Sequence, residues 1–539
     1  MMHHKITLLI LVSALLLGGG LVARNVAAAS TTVVVNGTGD LSDFNPGDGQ
    51  CDTNGTISGN QCSLRAAIEE LNALGPEAIF HRITFNIPGT GPHIIAPEAP
   101  LPQMNVPIFI DGTSQPGASC ATTSAPANLL IVLDGSNAGD TAGLIFAAGT
   151  DISSIRGLAI GNFAREGLVL LSNQGDVSCT YIGVEPDGQT AMGNGLSGIR
   201  INGDRNLIGG GSSNARRNLI SANGTQGIQV GAGLSNRIEN NFIGTTADGM
   251  NALGNAGGIA VLGASTLIGA RPAQSTSGNL ISGNTEFGIR VNGGENTFIL
   301  GNTIGLAQDG TTPLGNTGNG IEVVGAASNT AIGGTGTLEA NRIAYNSGDG
   351  VIVNTTADGT PVQATIRGNA IFDNTDLGIG LGTDGVDTND PGDTDSGENG
   401  RQNYPVLTTT PGSLTIDVAL DSRPNTQYVI DIYRNATCDR LGHGEGQQYV
   451  STSGIITTDA NGRVSLTIPL NNQTSGDYIT ATATDADGNT SEFSACAMLS
   501  QLPPDETPTA TLPPDVPPTA TPDPDPLQEY TVALPLVVQ

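Results

Sequence analysis

Between about residues 151 and 385 the apolar positions alternate in short runs, and a glycine opens each run. In order they are Gly167-Leu-Val-Leu, Gly198-Ile-Arg-Ile, Gly227-Ile-Gln-Val, Gly258-Ile-Ala-Val, Gly288-Ile-Arg-Val, Gly320-Ile-Glu-Val, Gly350-Val-Ile-Val and Gly378-Ile-Gly-Leu. The opening glycines lie 31, 29, 31, 30, 32, 30 and 28 residues apart. A period of this length marks a solenoid, in which each unit buries its apolar face only by stacking on its neighbours. Alternation within a run predicts a short strand with one face inward. Stacked strands of one kind make a parallel sheet whose rungs are about 4.8 Å apart. Helical periodicity is absent here, and glycine with β-branched residues dominates, which favours a β-solenoid over helical or leucine-rich repeats.

A second phrase, Asn-x-Ile, recurs at Asn206, Asn218, Asn236, Asn279, Asn302, Asn341 and Asn369. Asparagine tolerates left-handed backbone and stacks its amide in register, so the phrase is expected at corners between strands. A two-coil super-repeat overlies both. Asp187-Gly, Asp248-Gly and Asp309-Gly lie 61 residues apart, as do the Gly-Asn pairs ending at Asn194, Asn255 and Asn316. These insertions are expected to project in line from one flank, either as a binding flank or as tight turns.

Outside the regular coils the pattern changes. Residues 1–29 read as a signal peptide, with Lys5 in a basic start, an apolar run from Ile6 to Ala23 and the small residues Ala27 to Ala29. The long run leaves an uncleaved anchor as the alternative, and no other stretch has the length to span a membrane. Residues 30–75 form a separate cap. In it Leu64, Ala67, Ile68 and Leu71 fall at helical spacing behind Ser63 as N-cap. Such a helix would plug the open apolar end of a solenoid. The solenoid is assigned to residues 76–405. Residues 406–498 carry runs of period two separated by turns, as in an antiparallel β-sandwich. A Pro/Thr-rich linker (499–529) and an apolar tail (530–539) close the chain, the tail being a docking signal or a fraying end.

Charge narrows the partners. The chain has 50 acids against 20 basic residues, a net charge of −30, and a single lysine, Lys5. Such a surface repels phosphate backbones, and other polyanions too unless bound calcium bridges them, which argues against nucleic acid and favours divalent cations. With an export signal, the six cysteines are expected to pair. Cys51 with Cys62 and Cys438 with Cys496 are each local to one module, leaving Cys120 with Cys179 by elimination.

The run Cys62-Ser-Leu-Arg-Ala-Ala-Ile-Glu-Glu resembles the CSLREA module of exported bacterial β-helix proteins, with Ala66 where that motif has glutamate. Ile83-Thr-Phe and Ile110-Asp-Gly-Thr-Ser-Gln-Pro resemble the early coils of the same proteins. Ala483-Thr-Asp-Ala-Asp-Gly-Asn resembles the last hairpin of bacterial immunoglobulin-like domains. The resemblance implies an all-β chain: a right-handed parallel β-helix with a helical N-terminal cap and an immunoglobulin-like C-terminal module. It also implies a secreted or bacterial cell-surface protein, and no particular activity.

Candidate chemistry is sparse. The residues expected to point outward from the glycine-led strands are Val169, Arg200, Gln229, Ala260, Arg290, Glu322, Ile352 and Gly380. Glycoside hydrolysis needs two carboxylates about 5–10 Å apart, and this file offers one. Arg290 beside Glu322 is its nearest approach to a catalytic pair, the plainer alternative being an ion pair between adjacent rungs. After the last coil, Asp387, Asn389, Asp390, Asp393, Asp395 and Glu398 are close enough in sequence to share calcium, or else form a solvated acidic turn. The balance favours a non-catalytic adhesin-like or matrix protein that binds extracellular glycan. The alternative is a secreted polysaccharide lyase or hydrolase.

Overall fold

Why a glycine opens each strand follows from the stacking. At Gly258 an added Cβ would lie 2.2 Å from the carbonyl oxygen of Gly288 on the next coil and 2.6 Å from Ile281 Cγ2, so only glycine permits this approach. The isoleucines that follow then stack in register, Ile199 on Ile228, Ile259, Ile289 and Ile321. All five are fully buried, each worth about 1.5–3 kcal/mol on removal from water.

The computed structural model describes residues 30–75, 80–123, 125–270, 277–355, 362–382, 385–470 and 476–500. Within them the chain is a right-handed parallel β-helix of three long sheets. Sheet A has eleven strands from Thr32–Val35 to Ala364–Arg367, sheet B ten from His93–Ile95 to Ala370–Phe372, and sheet C nine from Leu144–Phe146 to Ile379–Leu381. The glycine-led runs are the rungs of sheet C. Strand Thr32–Val35 is the first rung of sheet A, pairing with His81–Phe85, so the N-terminal cap is inserted within the solenoid rather than placed ahead of it. The predicted signal peptide, the linker from 501 and the tail lie outside the described residues. No helix among those described is long and apolar enough to cross a membrane.

The Asn-x-Ile phrase resolves into two different corners. Asn206 and Asn236 precede strands of sheet A, whereas Asn218, Asn279, Asn302, Asn341 and Asn369 precede strands of sheet B. Asn241 joins the latter group. There the amides form a continuous ladder, each donating to the next Oδ1 at 2.9–3.0 Å from Asn218 to Asn369. A second ladder runs through Asn194, Asn223, Asn255, Asn284, Asn316, Asn346 and Asn374 at the turn into sheet C. The same amides reach inward-turned carbonyls, as Asn255 Nδ2 does at Ile220 O (3.0 Å). Corner backbone that the sheets leave unpaired is thereby satisfied.

Both ends are closed. Helix Leu64–Leu74 packs Leu64, Ala67, Ile68 and Leu71 onto the solenoid core, and Ser63 Oγ accepts from Ala66 N as N-cap. Arg65, beside it, pairs with Asp40 (2.9 Å) and donates to the carbonyls of Ala99 and Pro100. At the other end two antiparallel sheets share a core of Ile416, Val418, Tyr428, Ile430, Ile468 and Ile479. This module covers the last coil. Tyr433 and Phe493 enter the solenoid core, Arg367 pairs with Asp431, and Gly446 bonds reciprocally to Ile371. Glu445 terminates the second asparagine ladder by accepting from Asn374 Nδ2 and N. Glu492 accepts from Leu381 N and Asp387 N. These contacts occupy backbone groups of the last rung that another chain could otherwise pair with. All three expected disulfides are formed.

Candidate functional site

The register of sheet C sets the expected outward residues in one file, Val169 beside Arg200, then Gln229, Ala260, Arg290, Glu322, Ile352 and Gly380. Arg290 and Glu322 form an ion pair. Arg290 also lies 3.8 Å above the Phe287 ring, and Asn319 Nδ2 donates to Glu322 (3.0 Å). Arg200 is bound by Glu166 (3.2 Å). The charges of this face are thus spent on each other. One carboxylate that sequence did not single out stands at its end: Asp349 lies 3.4 Å from where a side chain at Gly380 would begin. Burial, against a hydrogen bond from Leu377 N, raises it to about 6.

Of the six residues proposed for calcium, Asp390, Asp393 and Asp395 converge, each placing an oxygen within 4.8 Å of the others. The rest are drawn elsewhere. Asp387 pairs with Arg401 (3.0 Å), Asn389 bonds both backbone groups of Tyr404, and Glu398 accepts from Thr355 N. Within the trio, Asp393 accepts from Asn403 N and Ser422 Oγ. Burial lifts Asp393 despite these bonds, and burial with the neighbouring charge of Asp390 lifts Asp395.

A concavity lies over the outer face of sheet B, beside the in-line Asp-Gly hairpins. Its floor is Tyr181, Leu219, Phe242 and Leu280, successive partners in register and each at most 5% exposed. One wall is built by the Asp-Gly hairpins. These project in line, stitched by Ala247 N to Gly188 O (2.8 Å) and Gln308 N to Gly249 O (2.9 Å). The facing wall is the segment around Ala121, Thr122 and Pro126, tied down by Cys120–Cys179 and by Asn214 Nδ2 to Thr122 O (3.0 Å). Two adjoining cavities, about 470 and 210 Å³, share Arg217, Phe242 and Gln308. A separate one of about 550 Å³ lies at Gly310, Thr311, Arg342 and Phe372, where Arg434, Gln447 and Gln448 of the C-terminal module complete its lining.

The hairpin aspartates act as turn formers. Asp187 resists desolvation through bonds from Thr190 Oγ1, Gln189 N and Thr190 N, which hold it below the usual range. The same bonds, from Thr312 and Thr311, lower Asp309 to about 2. Asp248 accepts from Thr246 and Met250 N. Carboxylates held below the usual range, as Asp187 and Asp309 are, make poor general acids. The rim otherwise offers amides and hydroxyls, among them Gln189, Asn214 and Gln308.

No family model matches the chain, and no curated protein matches it in sequence. Among solved structures it is similar to the Dettilon tailspike protein, at 14% identity and a TM-score of 0.32 over 87% of this chain and 92% of that one. It is likewise similar to the A-module of Azotobacter vinelandii mannuronan C-5 epimerase AlgE4 (14% identity, TM-score 0.30, 64% and 96%) and to pectate lyase Pel9A (14%, 0.26, 65% and 82%). At such values the likeness carries nothing about ligand or chemistry, which rest on this chain's own geometry.

Proposed function

We propose that this chain is an exported β-helix, secreted or held at the bacterial cell surface, that binds extracellular glycan along sheet B without cleaving it. The groove supports this most: a long trough with an apolar floor and a rim of amides and hydroxyls, the chemistry that suits a sugar's ring and its hydroxyl groups. Its described lining holds no pair of uncommitted carboxylates. Two closed ends and three disulfides suit a module that must last outside the cell, in keeping with the exported family that Cys62–Glu70 resembles. Calcium at Asp390, Asp393 and Asp395 belongs to the same proposal, since a cation would offset the burial and the neighbouring charge of Asp390 that lift Asp395. It would brace the junction between solenoid and sandwich, and calcium titration followed by calorimetry tests it: a saturable heat lost in Asp395→Asn supports the site, and no heat rejects it.

The second reading, a polysaccharide lyase or hydrolase, draws on Asp349 at the end of the sheet-C file, whose carboxyl burial raises to a value that would suit an acid. A glycan array run beside assays for reducing ends and unsaturated products separates the two. Binding without product is the expected result. Product formation that Asp349→Asn abolishes would replace the binding reading by the catalytic one.

A further inference from the structure

Most arginines in this acidic chain are neutralised by a carboxylate within ion-pair reach. Among the described residues Arg205, Arg217 and Arg342 are not. Arg205 projects from a corner into solvent. The other two share the outer side of sheet B, and each lies over an aromatic ring: Arg217 is 4.0 Å from the centroid of Phe242 and Arg342 is 5.6 Å from that of Phe372. Arg217 lines both adjoining cavities and Arg342 the third.

Their remaining bonds are to neutral groups. Arg217 donates to Asn214 Oδ1 (2.8 Å), and its Nε is buried with no partner. Arg342 donates to Gly310 O (2.9 Å) on the third hairpin. Asp187 and Asp248 line the same cavity as Arg217 but are bound in their own turns and lie beyond ion-pair reach of it, and a half-buried guanidinium so placed is costly unless something else supplies the anion. Burial indeed depresses the Arg217 guanidinium from its ordinary value. The floor explains how the two are held: each ring supports the flat face of the cation and leaves its edge for a planar or tetrahedral anion.

Resting on the glycan reading, we infer that the ligand is an acidic linear polysaccharide lying along the solenoid axis, with its anionic groups on Arg217 and Arg342. From the sheet-B rung that Arg217 precedes, Leu219–Ile220, to that of Arg342 there are four steps, about 19 Å at about 4.8 Å per rung. A single sugar cannot bridge that distance, so affinity should climb with oligomer length until both sites are filled. Carboxylate and sulfate ester share the required chemistry.

The test uses the full chain after leader removal and three forms of one polymer: a polyuronate, its carboxyl-reduced neutral form, and a sulfated derivative of the neutral form. Binding is measured by calorimetry, with oligomers of increasing length. The neutral form should bind at least about tenfold more weakly than the better anionic form, and whichever anionic form binds tighter identifies the anion. Arg217→Gln and Arg342→Gln should each cost about tenfold, as expected for loss of a charge-assisted contact. Arg217→Lys should recover part of the loss. Arg290→Gln, on sheet C, should change nothing. Because Arg217 packs on the floor, its variants are checked by thermal melting, and the exposed Arg342 gives an independent reading. Equal binding of neutral and anionic forms, or indifference to both glutamine variants, overturns the inference while leaving glycan binding intact. An array on which no glycan binds overturns both.

Discussion

Sheets B and C are built from the same rungs, yet their outer faces differ in what they leave unspent. On sheet C arginine meets glutamate on a neighbouring coil, as Arg290 does Glu322 and Arg200 does Glu166. On sheet B the hairpins make a wall, and Arg217 and Arg342 face cavities without a carboxylate partner. A surface whose charges satisfy one another gains little and recruits little. A trough that buries a charge and leaves it unanswered is shaped for something outside the chain. The lesson is that in a solenoid, function is carried by departures from the repeat rather than by the repeat itself.

The largest effect expected would break both faces at once. Asn279 accepts from Asn241 N and Nδ2 and donates to Asn302 Oδ1 and Ile238 O. Asn279→Ala would strand a buried donor and a buried carbonyl, at about 1–3 kcal/mol each. Denaturant unfolding should register about 2–4 kcal/mol. A loss under about 0.5 kcal/mol would mean that the ladder is dispensable.

Acid titration should then set the two faces apart. Burial raises Glu445 to about 7 and Glu492 to about 8 at the capped end, from the ordinary 4.5, and Asp349 to about 6. Because the folded values exceed the unfolded ones, the stability held by these protons is complete below about pH 4. It drains as pH rises through about 6 to 8. The melting temperature should therefore fall by several degrees between pH 5 and pH 8.5, and Glu492→Gln should blunt the fall. The hairpin aspartates beside sheet B, Asp187 and Asp309, are depressed and stay ionised throughout this window. Ligand affinity should consequently be flat over it. An affinity that follows the melting curve would tie the ligand to the sheet-C end instead.

The smallest effect concerns the pair first suggested for catalysis. A double-mutant cycle on Arg290 and Glu322 should return a coupling of about 0–1 kcal/mol, as for other part-exposed ion pairs. Coupling well beyond this would show a pair held under greater demand than a rung contact requires.

Much of the scaffold was legible because its causes are local and repeated. Gly288 and Gly320 mark rungs by the same steric need at every coil, and Ser63 with Leu64, Ala67 and Ile68 spells a capped amphipathic helix without reference to the rest. The asparagines were half legible. One phrase served two corners, and the second ladder surfaced only at Asn194, Asn255 and Asn316, whereas Asn223 and Asn346 follow an alanine and a tyrosine. Of the groove only the hairpin wall was legible, from the 61-residue spacing of Asp187, Asp248 and Asp309; its floor joins Tyr181 and Phe242 with Arg217 from three coils and takes its meaning from a partner that Arg217 lacks. For the acidic loop, spacing brought six ligands within reach, but Arg401, Tyr404 and Thr355 claim three of them.

The most direct test of where the ligand lies is a pair of tryptophan plugs, one on each face, screened on the same glycan array. Gln308 is exposed on the groove wall and Gln229 is half-exposed in the sheet-C file, so neither change disturbs the core. The account predicts that Gln308→Trp lowers glycan binding at least about tenfold while Gln229→Trp leaves it unchanged. Loss with Gln229→Trp and retention with Gln308→Trp would move the functional face to sheet C and contradict it.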